Sequence, residues 1–338
     1  MIWRNELAHS YWHSKQVLVT GAGGFIGSHL VETLVDSGAQ VRAFVRYNSR
    51  ADWGLLSMLP PEKQAQIDVV AGDLRDLQAV KDAMQGISHV FHLGALIAIP
   101  YSYVHPAEVV ETNVMGTLNI LLAGRDSGIE RIVHTSTSEV YGTALRVPID
   151  ETHPLQGQSP YSASKIGADK IVESFYRSYD LPVVTIRPFN TYGPRQSTRA
   201  VIPTIITQAL TGTVVKLGNL EARRDLTFVT DTVRGFLLGG ETPGIEGETF
   251  NLGVGEEVTI GDLAHRIIAL TGGQAKIEID PSRLRPAKSE VQRLLSDNRR
   301  AQQRLNWQPK IPLDDGLRRT IAWMKEHLSR YRPDIYQL

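Results

Sequence analysis

One glycine-rich segment near the start of the sequence constrains the fold more than any other feature. Residues 17–28 read VLVTGAGGFIGS, an apolar run that leads into spaced glycines and then into an amphipathic stretch. Gly21 permits a sharp turn out of a strand, Gly24 lets the backbone approach a pyrophosphate, and Gly27 lets a following helix pack close to the strand. The N-terminus of that helix presents free N–H groups to phosphates. The segment therefore predicts a dinucleotide-binding strand, turn and helix.

The rest of the first half alternates short apolar strands with amphipathic helices. Strand–helix alternation of this kind gives a parallel sheet with helices on both faces. The predicted fold class is therefore α/β, a Rossmann-type doubly wound parallel sheet with a smaller C-terminal α/β lobe. We predict strands at residues 16–20, 40–45, 67–71, 89–92, 131–134 and 183–186, and helices at residues 25–36, 76–85, 106–126 and 161–179.

The length and the change of pattern near residue 188 divide the chain. A chain of 338 residues suggests roughly two domains, and from residue 188 onward Pro and Gly separate shorter elements. We predict an N-terminal extension at residues 1–14, an NAD(P)-binding domain at 15–187 and a second lobe at 188–338. Some segments of that lobe are expected to return to the first sheet.

Composition excludes several classes of protein. Lys+Arg and Asp+Glu both number 36, so the formal net charge is zero and a surface built to hold nucleic acid is not expected. The chain has no cysteine, which removes disulfides and thiolate metal sites, and we expect no metal. No stretch reaches 18 apolar residues, so no membrane partner is expected. The first residues lack an apolar secretory segment, and we expect a cytoplasmic protein.

The ends of the second and third strands bear on the choice of cofactor. An acidic residue after the second strand accepts from the adenosine ribose and disfavours a 2′-phosphate, but residues 45–50 read VRYNSR without an acid. Arg46 could bind a 2′-phosphate, stack on adenine or simply be solvated, which gives a slight preference for NADP over NAD. Asp73 follows the third strand, where it can meet the adenine, cap a helix from Leu74, or do both.

The catalytic prediction rests on a tyrosine and a lysine that share one helix face. Tyr161 and Lys165 are four residues apart, and a neighbouring ammonium favours the phenolate and makes the tyrosine a usable base. The strand at 131–134 runs into Thr137, whose hydroxyl can join the substrate hydroxyl and the phenol. We expect the Asn113 amide to orient the Lys165 end of this network.

The motifs together resemble the extended short-chain dehydrogenase/reductase family in its nucleotide-sugar branch. The resemblance runs from about Lys15 to Trp307 and rests on VTGAGGFIGSHL, TNVMGTLN, HTSTSEVYG, SPYSASK, RPFNTYGPRQ and RRDLTFVTD. It implies a catalytic triad of Thr137, Tyr161 and Lys165, a tightly held cofactor that is reduced and reoxidised in each cycle, and a homodimer. The predicted cofactor contacts are Gly21, Gly24, Phe25, Ile26, Gly27, Arg46, Asp73, Leu74, Leu93, Asn113, Tyr161 and Lys165.

The expected substrate is a nucleotide-diphosphate sugar. The resemblance implies that Asn190 contacts the diphosphate and that Arg224 binds the nucleotide phosphates. Two further arginines, Arg195 in the RPFNTYGPRQ segment and Arg285 in the basic segment 281–304, are also predicted to bind substrate, and Arg187 is a diphosphate candidate.

Glu139 is the residue that separates the possible sugar chemistries. A ketone at C4 acidifies the C5 proton, and a carboxylate that removes it lets the C6 hydroxyl leave as water, as in a 4,6-dehydratase. Hexose 4,6-dehydratases usually carry Thr-Asp-Glu, whereas this chain has Ser138 in place of the acid. Either Glu139 serves as both base and acid, or water or another residue supplies the proton.

Further segments resemble nucleotide-N-acetylglucosamine 4,6-dehydratases of the legionaminic-acid type, and the apolar segment 96–100 suits an acetamido methyl group. The predicted function is therefore an NAD(P)-dependent 4,6-dehydratase that acts on a nucleotide-diphosphate N-acetylhexosamine. Three alternatives stay open: a UDP-glucuronate decarboxylase, a nucleotide-sugar 4-epimerase, and a non-catalytic dinucleotide sensor.

Overall fold

A seven-stranded parallel sheet forms the centre of the molecule. The computed structural model describes residues 11–331, so most of the predicted extension at 1–14 lies outside the described residues. The strands are β1 (Gln16–Thr20), β2 (Gln40–Arg46), β3 (Ile67–Gly72), β4 (His89–His92), β5 (Arg131–Thr135), β6 (Val183–Pro188), β7 (Asn190–Tyr192), β8 (Val214–Leu217), β9 (Arg223–Arg224), β10 (Leu226–Phe228), β11 (Thr249–Leu252), β12 (Val258–Thr259), β13 (Lys276–Ile279) and β14 (Arg293–Leu294).

The strand order explains where a ligand can bind. The large sheet runs β11-β6-β5-β4-β1-β2-β3, and every neighbouring pair in it is parallel. The order reverses direction between β1 and β4, and a crevice opens beyond the carboxyl ends of strands at such a switch point. The predicted doubly wound parallel sheet is confirmed.

Helices are present at all four predicted segments, 25–36, 76–85, 106–126 and 161–179, and one of these is interrupted. The predicted helix at 106–126 is interrupted by a π-helical turn at Glu111–Met115. The helices are α1 (Phe25–Asp36), α2 (Pro61–Gln64), α3 (Leu77–Met84), α4 (Ile99–Val104), α5 (Pro106–Val110), α6 (Gly116–Ser127), α7 (Pro160–Tyr179), α8 (Val201–Thr211), α9 (Val229–Glu241), α10 (Ile260–Thr271), α11 (Arg299–Leu305) and α12 (Leu313–Glu326).

The side chains of β1 alternate between two hydrophobic clusters. Val17 and Val19 belong to a cluster that also contains Leu30 of α1 and Phe236 of α9, whereas Leu18 belongs to a cluster with the buried faces of α3, α6 and α7. Successive residues of a strand point to opposite faces of its sheet, so both faces of the sheet are covered by helices. This double cover explains why the central strands are apolar throughout.

The second half of the chain is not packed as a separate unit. Small sheets form from β12-β9-β14, β13-β8 and β10-β7, but β11 pairs with β6 and α9 packs on α1. Apolar residues of α8 and α10 join the same cluster as β1. Among residues 11–331, no helix combines the length and the apolar character needed to cross a membrane.

Candidate active site

The glycine-rich turn between β1 and α1 has no room for side chains. Gly21 has a φ of +67°, and a Cβ atom there would lie 2.8 Å from the Gly94 nitrogen, while a Cβ atom on Gly27 would overlap the Gly21 carbonyl oxygen. α1 begins at Phe25 and Ile26 with no side-chain cap and no acid in its first turn. The first N–H groups of α1 are therefore left to a ligand, and the turn fits a dinucleotide diphosphate.

Residues from the third and fourth strands meet this turn. A Cβ on Gly21 would lie 2.9 Å from the Leu93 carbonyl carbon, and one on Gly94 would lie 2.7 Å from Leu74 Cδ1. The Thr20 hydroxyl accepts a hydrogen bond from the Gly94 nitrogen at 3.0 Å. The structure thus brings Leu93 to the backbone of the turn and Leu74 to Gly94 beside it; both are predicted cofactor contacts.

Arg46 has a carboxylate partner near the predicted adenosine end of the site. Its side chain is 65% exposed, and its Nη2 atom lies 3.3 Å from Glu108 Oε1. Glu108 also accepts a hydrogen bond from the Tyr101 hydroxyl. The Glu108 carboxylate therefore partly neutralises the positive charge with which Arg46 would bind a 2′-phosphate.

Asp73 pairs with Arg75 through two hydrogen bonds, at 3.0 Å and 2.7 Å. These bonds and the Arg75 charge hold the pKa of Asp73 below its ordinary value. The alternative role given to Asp73, capping a helix from Leu74, is wrong: α3 begins at Leu77, and Asp76 caps it by accepting from the nitrogens of Gln78 and Ala79. Asp73 instead accepts from the Arg75 nitrogen in a tight local turn. The predicted contact of Asp73 with the adenine stays a prediction.

Tyr161 and Lys165 lie in the first two turns of α7, where they are almost fully buried. Ser159 and Ser162 form a reciprocal capping box, and Pro160 occupies the first helical position. Tyr161 is 7% exposed and Lys165 is 4% exposed. Burial raises the pKa of the Tyr161 phenol, and a hydrogen bond with Thr137 opposes that rise. Burial lowers the pKa of the Lys165 ammonium group to about 8.

A short 3₁₀ turn after β5 presents Thr137 and Glu139. The Thr137 hydroxyl accepts from the Glu139 nitrogen at 3.2 Å and so caps the turn Ser138–Tyr141. Ser138 is only 3% exposed, whereas Glu139 is half-buried. Burial raises the pKa of Tyr161 and lowers that of Arg224, and the charge of Glu139 adds to the first shift and opposes the second. Glu139 therefore lies within electrostatic range of both groups. Within the described chain, no hydrogen bond or ion pair engages the Glu139 carboxylate.

Asn113 lies in the π-helical turn and uses its whole side-chain amide. Its Oδ1 accepts from the Leu96 nitrogen at 2.8 Å, and its Nδ2 donates to the Leu96 carbonyl and to the Ser164 hydroxyl, both at 2.9 Å. The expected contact with the Lys165 end is therefore indirect, because Asn113 holds the residue before the lysine. A π turn often marks a functional position, and here it points the amide between the β4–α4 loop and α7.

Two arginines from the second half of the chain, Arg224 and Arg285, lie near each other, and Arg224 also lies within electrostatic range of Glu139. Arg224 is 7% exposed, and its Nη2 atom lies 3.4 Å from Glu290 Oε1, which also lies 3.9 Å from Arg285 Nη1. Arg285 Nη1 and Asn190 Oδ1 are both buried and have no hydrogen-bond partner in the part of the chain that the structure describes. Two arginines that share one carboxylate keep a net positive charge, which suits a diphosphate.

The structure does not bring the other two arginines to this group. Arg195 Nη2 lies 2.6 Å from Glu32 Oε2 on α1, so the Arg195 guanidinium is paired on the cofactor side. The expectation that Arg187 binds the diphosphate is wrong, because Arg187 is 6% exposed and its guanidinium donates to Asp169 and to the Tyr141 hydroxyl.

Asp169 and Glu290 are candidate site residues that the sequence reasoning missed. Asp169 follows Lys165 by four residues, so helical spacing on the catalytic face is a signal that identifies it. Glu290 has no such signal, since it comes from a loop 66 residues away from Arg224 in the sequence.

The parallel sheet, the glycine turn and the buried tyrosine–lysine pair define the class of the protein, an extended short-chain dehydrogenase/reductase of the nucleotide-sugar branch. The family model described as GDP-mannose 4,6 dehydratase matches residues 18–320, and the chain belongs to that family.

Relatives with two different activities support this assignment. The chain is 30% identical over 329 residues to the dTDP-D-glucose 4,6-dehydratase of Mus musculus, covering 94% of this chain and 91% of the relative. It is 34% identical over 318 residues to the UDP-glucose 4-epimerase of Mycolicibacterium smegmatis, covering 92% and 98%. A crystal structure of a double mutant of DesIV, a dTDP-glucose 4,6-dehydratase from Streptomyces venezuelae with NAD bound, superposes with a TM-score of 0.82 at 30% identity, covering 94% and 99%.

Proposed function

We propose that the protein is a nucleotide-sugar 4,6-dehydratase that acts on a nucleotide-diphosphate N-acetylhexosamine. The observation that carries the proposal is the Glu139 carboxylate, which is half-buried, lacks a partner within residues 11–331, and acts electrostatically on both Tyr161 and Arg224. A carboxylate free of protein partners beside the proton-transfer group is suited to remove a second proton from the sugar. The coarser statement, a nucleotide-sugar dehydratase or epimerase, follows from the family.

The chain's own residues divide the chemistry between them. When bound, the nicotinamide cofactor supplies reversible hydride transfer. Tyr161 takes the proton of the C4 hydroxyl, with Thr137 bridging the hydroxyl and the phenol, and the nearby Lys165 charge favours the phenolate. Glu139 then removes the C5 proton that the C4 ketone has acidified, and the C6 hydroxyl leaves as water with a proton from Glu139 or from solvent. The hydride taken from C4 returns to C6 and a proton is added at C5, so the product is a 4-keto-6-deoxy sugar and no net oxidant is consumed.

The apolar loop after β4 supports an acetamido substituent on the sugar. Residues 93–98 are irregular, and Ile97 is 60% exposed instead of being buried as a simple strand-to-helix connection would be. An exposed apolar side chain near the carboxyl ends of the strands offers a contact for a methyl group. We propose that this loop favours an N-acetylated sugar.

A 4-epimerase is the second candidate, and Ser138 favours it. This hydroxyl stands where the hexose dehydratases usually carry an acid, it is 3% exposed, and a serine hydroxyl is a poor proton donor at neutral pH. The epimerase relative is as similar to the chain as the dehydratase relative is. Epimerisation needs only Thr137, Tyr161 and Lys165.

Solvent deuterium separates the two candidates. The purified protein is incubated in D₂O with UDP- or GDP-N-acetylglucosamine, and the products are examined by mass spectrometry and NMR. A dehydratase gives a product that has lost one water and carries deuterium at C5, because Glu139 exchanges that proton. An epimerase gives a product of unchanged mass and altered stereochemistry, without deuterium at C5.

The Glu139→Gln variant tests the role of the carboxylate. We expect dehydration to fall by roughly 100-fold or more, while substrate still reduces the cofactor, as measured by the absorbance of reduced nicotinamide. Ser138→Ala is the matched control and should retain water loss, since Glu139 or water supplies the proton in the proposed reaction. Full dehydration by Glu139→Gln would contradict the assignment.

We propose NAD rather than NADP as the cofactor. The slight sequence preference for NADP rested on Arg46, and the ion pair of Arg46 with Glu108 weakens that argument. The related DesIV structure was determined with NAD. We also propose that residues 15–187 bind the cofactor and that residues 188–338 mainly bind the nucleotide sugar. The homodimer and the cytoplasmic location stay predictions.

A further inference from the structure

A buried polar network lies directly behind the catalytic pair. Asp169 is 6% exposed and follows Lys165 by one helical turn on α7. Its carboxylate accepts from His134 Nε2 at 3.1 Å, from the Ser136 hydroxyl at 2.7 Å and from Arg187 Nη2 at 2.9 Å. These donors come from the end of β5, the residue after it, and β6, so the network joins the catalytic helix to two central strands.

Three donors to the one Asp169 carboxylate are more than α7 needs in order to pack against the sheet. A buried ion pair is weak evidence for stability, because apolar residues of similar volume often stabilise a fold as well. The Arg187 guanidinium also donates to the Tyr141 hydroxyl at 2.9 Å, and that hydroxyl donates to Asn251 Oδ1 at 2.8 Å. The network therefore fixes the position of one negative charge at a defined place beneath the lysine.

We propose that Asp169 is a positioning residue for the proton-transfer pair: its fixed carboxylate keeps Lys165 in the ammonium form beside Tyr161. The proposal rests on the proposed function insofar as Tyr161 and Lys165 move the substrate proton. It assigns the acid at this position a role in setting the charge of the site, in addition to its role in joining α7 to the sheet.

The other charged groups around Lys165 do not replace this carboxylate. His92 of β4 and His134 of β5 lie within electrostatic range of the lysine, and burial lowers the pKa of each imidazole. Neither imidazole can supply a negative charge. Glu139 acts on Tyr161. Asp169 is the group that raises the pKa of Lys165 against the effect of burial.

The carboxylate itself stays ionised. Burial alone would raise the pKa of Asp169, but the hydrogen bond from His134 and the positive charge of Arg187 hold it well below its usual range. The same negative charge also raises the pKa of Tyr161. Removal of this charge should therefore lower the pKa of the phenol and that of the ammonium group together.

The test compares Asp169→Asn with the parent protein in two measurements. In the first, the cofactor-free proteins are acetylated with acetic anhydride at a series of pH values, and labelling of Lys165 is read by peptide mass spectrometry. We expect a labelling midpoint near the Lys165 pKa of about 8 in the parent and a midpoint about one pH unit lower in the variant. This readout does not depend on turnover.

In the second measurement, the rate of cofactor reduction by nucleotide sugar is recorded against pH. The active form needs the Tyr161 phenol deprotonated and the Lys165 ammonium group protonated. Since the Asp169 charge raises the pKa of both groups, Asp169→Asn should displace the whole profile to lower pH. Failure of the parent to reduce cofactor would refute the proposed function, whereas a normal parent and an unshifted variant would refute only the role of Asp169.

Three further variants separate electrostatics from structure. Asp169→Glu keeps the charge and should restore the parent values, and Ser136→Ala removes one hydrogen bond but keeps the charge and should also match the parent. Asp169→Asn leaves the buried Arg187 guanidinium unpaired, so Asp169→Asn combined with Arg187→Met guards against misfolding and should show the same lysine shift. Equal labelling midpoints in all variants, or an equal shift in Ser136→Ala, would overturn the proposal.

Discussion

The cofactor side and the substrate side of the site differ in what they are made of. The cofactor side is main chain, where Gly21 and Gly27 bring backbone atoms so close that no Cβ atom fits. The substrate side is formed by long side chains, with Arg224 and Arg285 both close to Glu290 Oε1. Backbone donors have a fixed geometry, whereas side-chain charges move with the loops that carry them.

This difference explains how each side keeps its shape without a ligand. The glycine turn needs no side chain to hold its shape, because Gly24 and Leu55 nitrogens donate to neighbouring turn carbonyls at 2.9 Å. The substrate side retains buried polar atoms without partners in the described chain, Asn190 Oδ1 and Arg285 Nη1. Buried polar groups are usually satisfied, so these two atoms indicate where a polar ligand would contribute hydrogen bonds. The cofactor side should therefore be sensitive to added atoms and the substrate side to removed charges.

Addition of one methyl group at Gly27 should have the largest effect. In Gly27→Ala the new Cβ would overlap the Gly21 carbonyl oxygen, so either α1 or the turn must move. Since the obstacle is backbone, we expect about 3 kcal/mol, the upper end of the usual cost of overpacking. A loss of that size in the binding surface corresponds to roughly 100-fold weaker cofactor binding. Isothermal titration with NAD measures the loss, and thermal unfolding shows whether the fold is also affected.

Gly261→Ala is the matched control for this experiment. Gly261 also lies in a helix, but its nearest non-helical neighbour, the Leu220 carbonyl oxygen, would be 3.6 Å from the new Cβ. This variant should bind NAD normally and gain some stability, since Ala favours a helix over Gly by about 1 kcal/mol. Equal NAD affinity in Gly27→Ala and the parent would show that the turn is not the diphosphate site.

The contrast between main-chain and side-chain features also determines which parts of the fold and of the site can be predicted from the sequence. Six of the seven strands of the large sheet and the four predicted helices follow from apolar periodicity and from capping residues, because those signals are local. The glycines of the turn are equally predictable, since the sharp turn and the close approach of strand and helix require residues without a Cβ atom at these positions. β11 is expected only as an unspecified return to the sheet from the second half of the chain. The π-helical turn around Asn113 is missed because its extra residue disturbs the helical period only slightly.

Side-chain partners across the fold are harder to predict. Arg187 and Arg195 look like phosphate ligands in a basic segment, but Asp169 and Glu32 neutralise them. These carboxylates lie 18 and 163 residues away from their partners in the sequence, and no periodic pattern connects them. Asp73 shows that partners are hard to predict even at short range. Asp73 and Asp76 are both suitable helix caps by sequence, and only the structure shows that Asp76 is the one used.

Removal of the buried charge at Arg224 should have the second largest effect. Arg224→Gln keeps a polar side chain but removes the guanidinium that faces Glu139 and Glu290. Truncation of a buried, paired charge costs about 2–5 kcal/mol, and the lower end of that range raises KM for the nucleotide sugar roughly 30-fold. NAD binding should not change, because the turn is built from main chain.

The neighbouring arginine provides the control for that variant. Arg223 has a side chain that is 49% exposed and pairs with Glu257 at 3.6 Å, so Arg223→Gln should change KM by about two-fold or less. A similar rise in KM for both variants would mean that general positive charge, and not the placement of Arg224, attracts the substrate. A change in NAD affinity in Arg224→Gln would contradict the division between the two sides.

The smallest effect is expected where the cofactor side depends on side chains, at the ion pair of Arg46 and Glu108. In Glu108→Gln the Arg46 guanidinium loses its carboxylate and becomes available to a 2′-phosphate, so the ratio of the Kd for NADP to the Kd for NAD should fall about three-fold. Glu111→Gln removes another exposed carboxylate nearby, one that lies 3.8 Å from Arg75 instead, and should leave the ratio unchanged.

An unchanged ratio in Glu108→Gln would mean that the pairing of Arg46 does not influence cofactor choice, while equal falls in both variants would point to net charge alone. Because the pair is exposed, the difference between the two variants should shrink as salt is added.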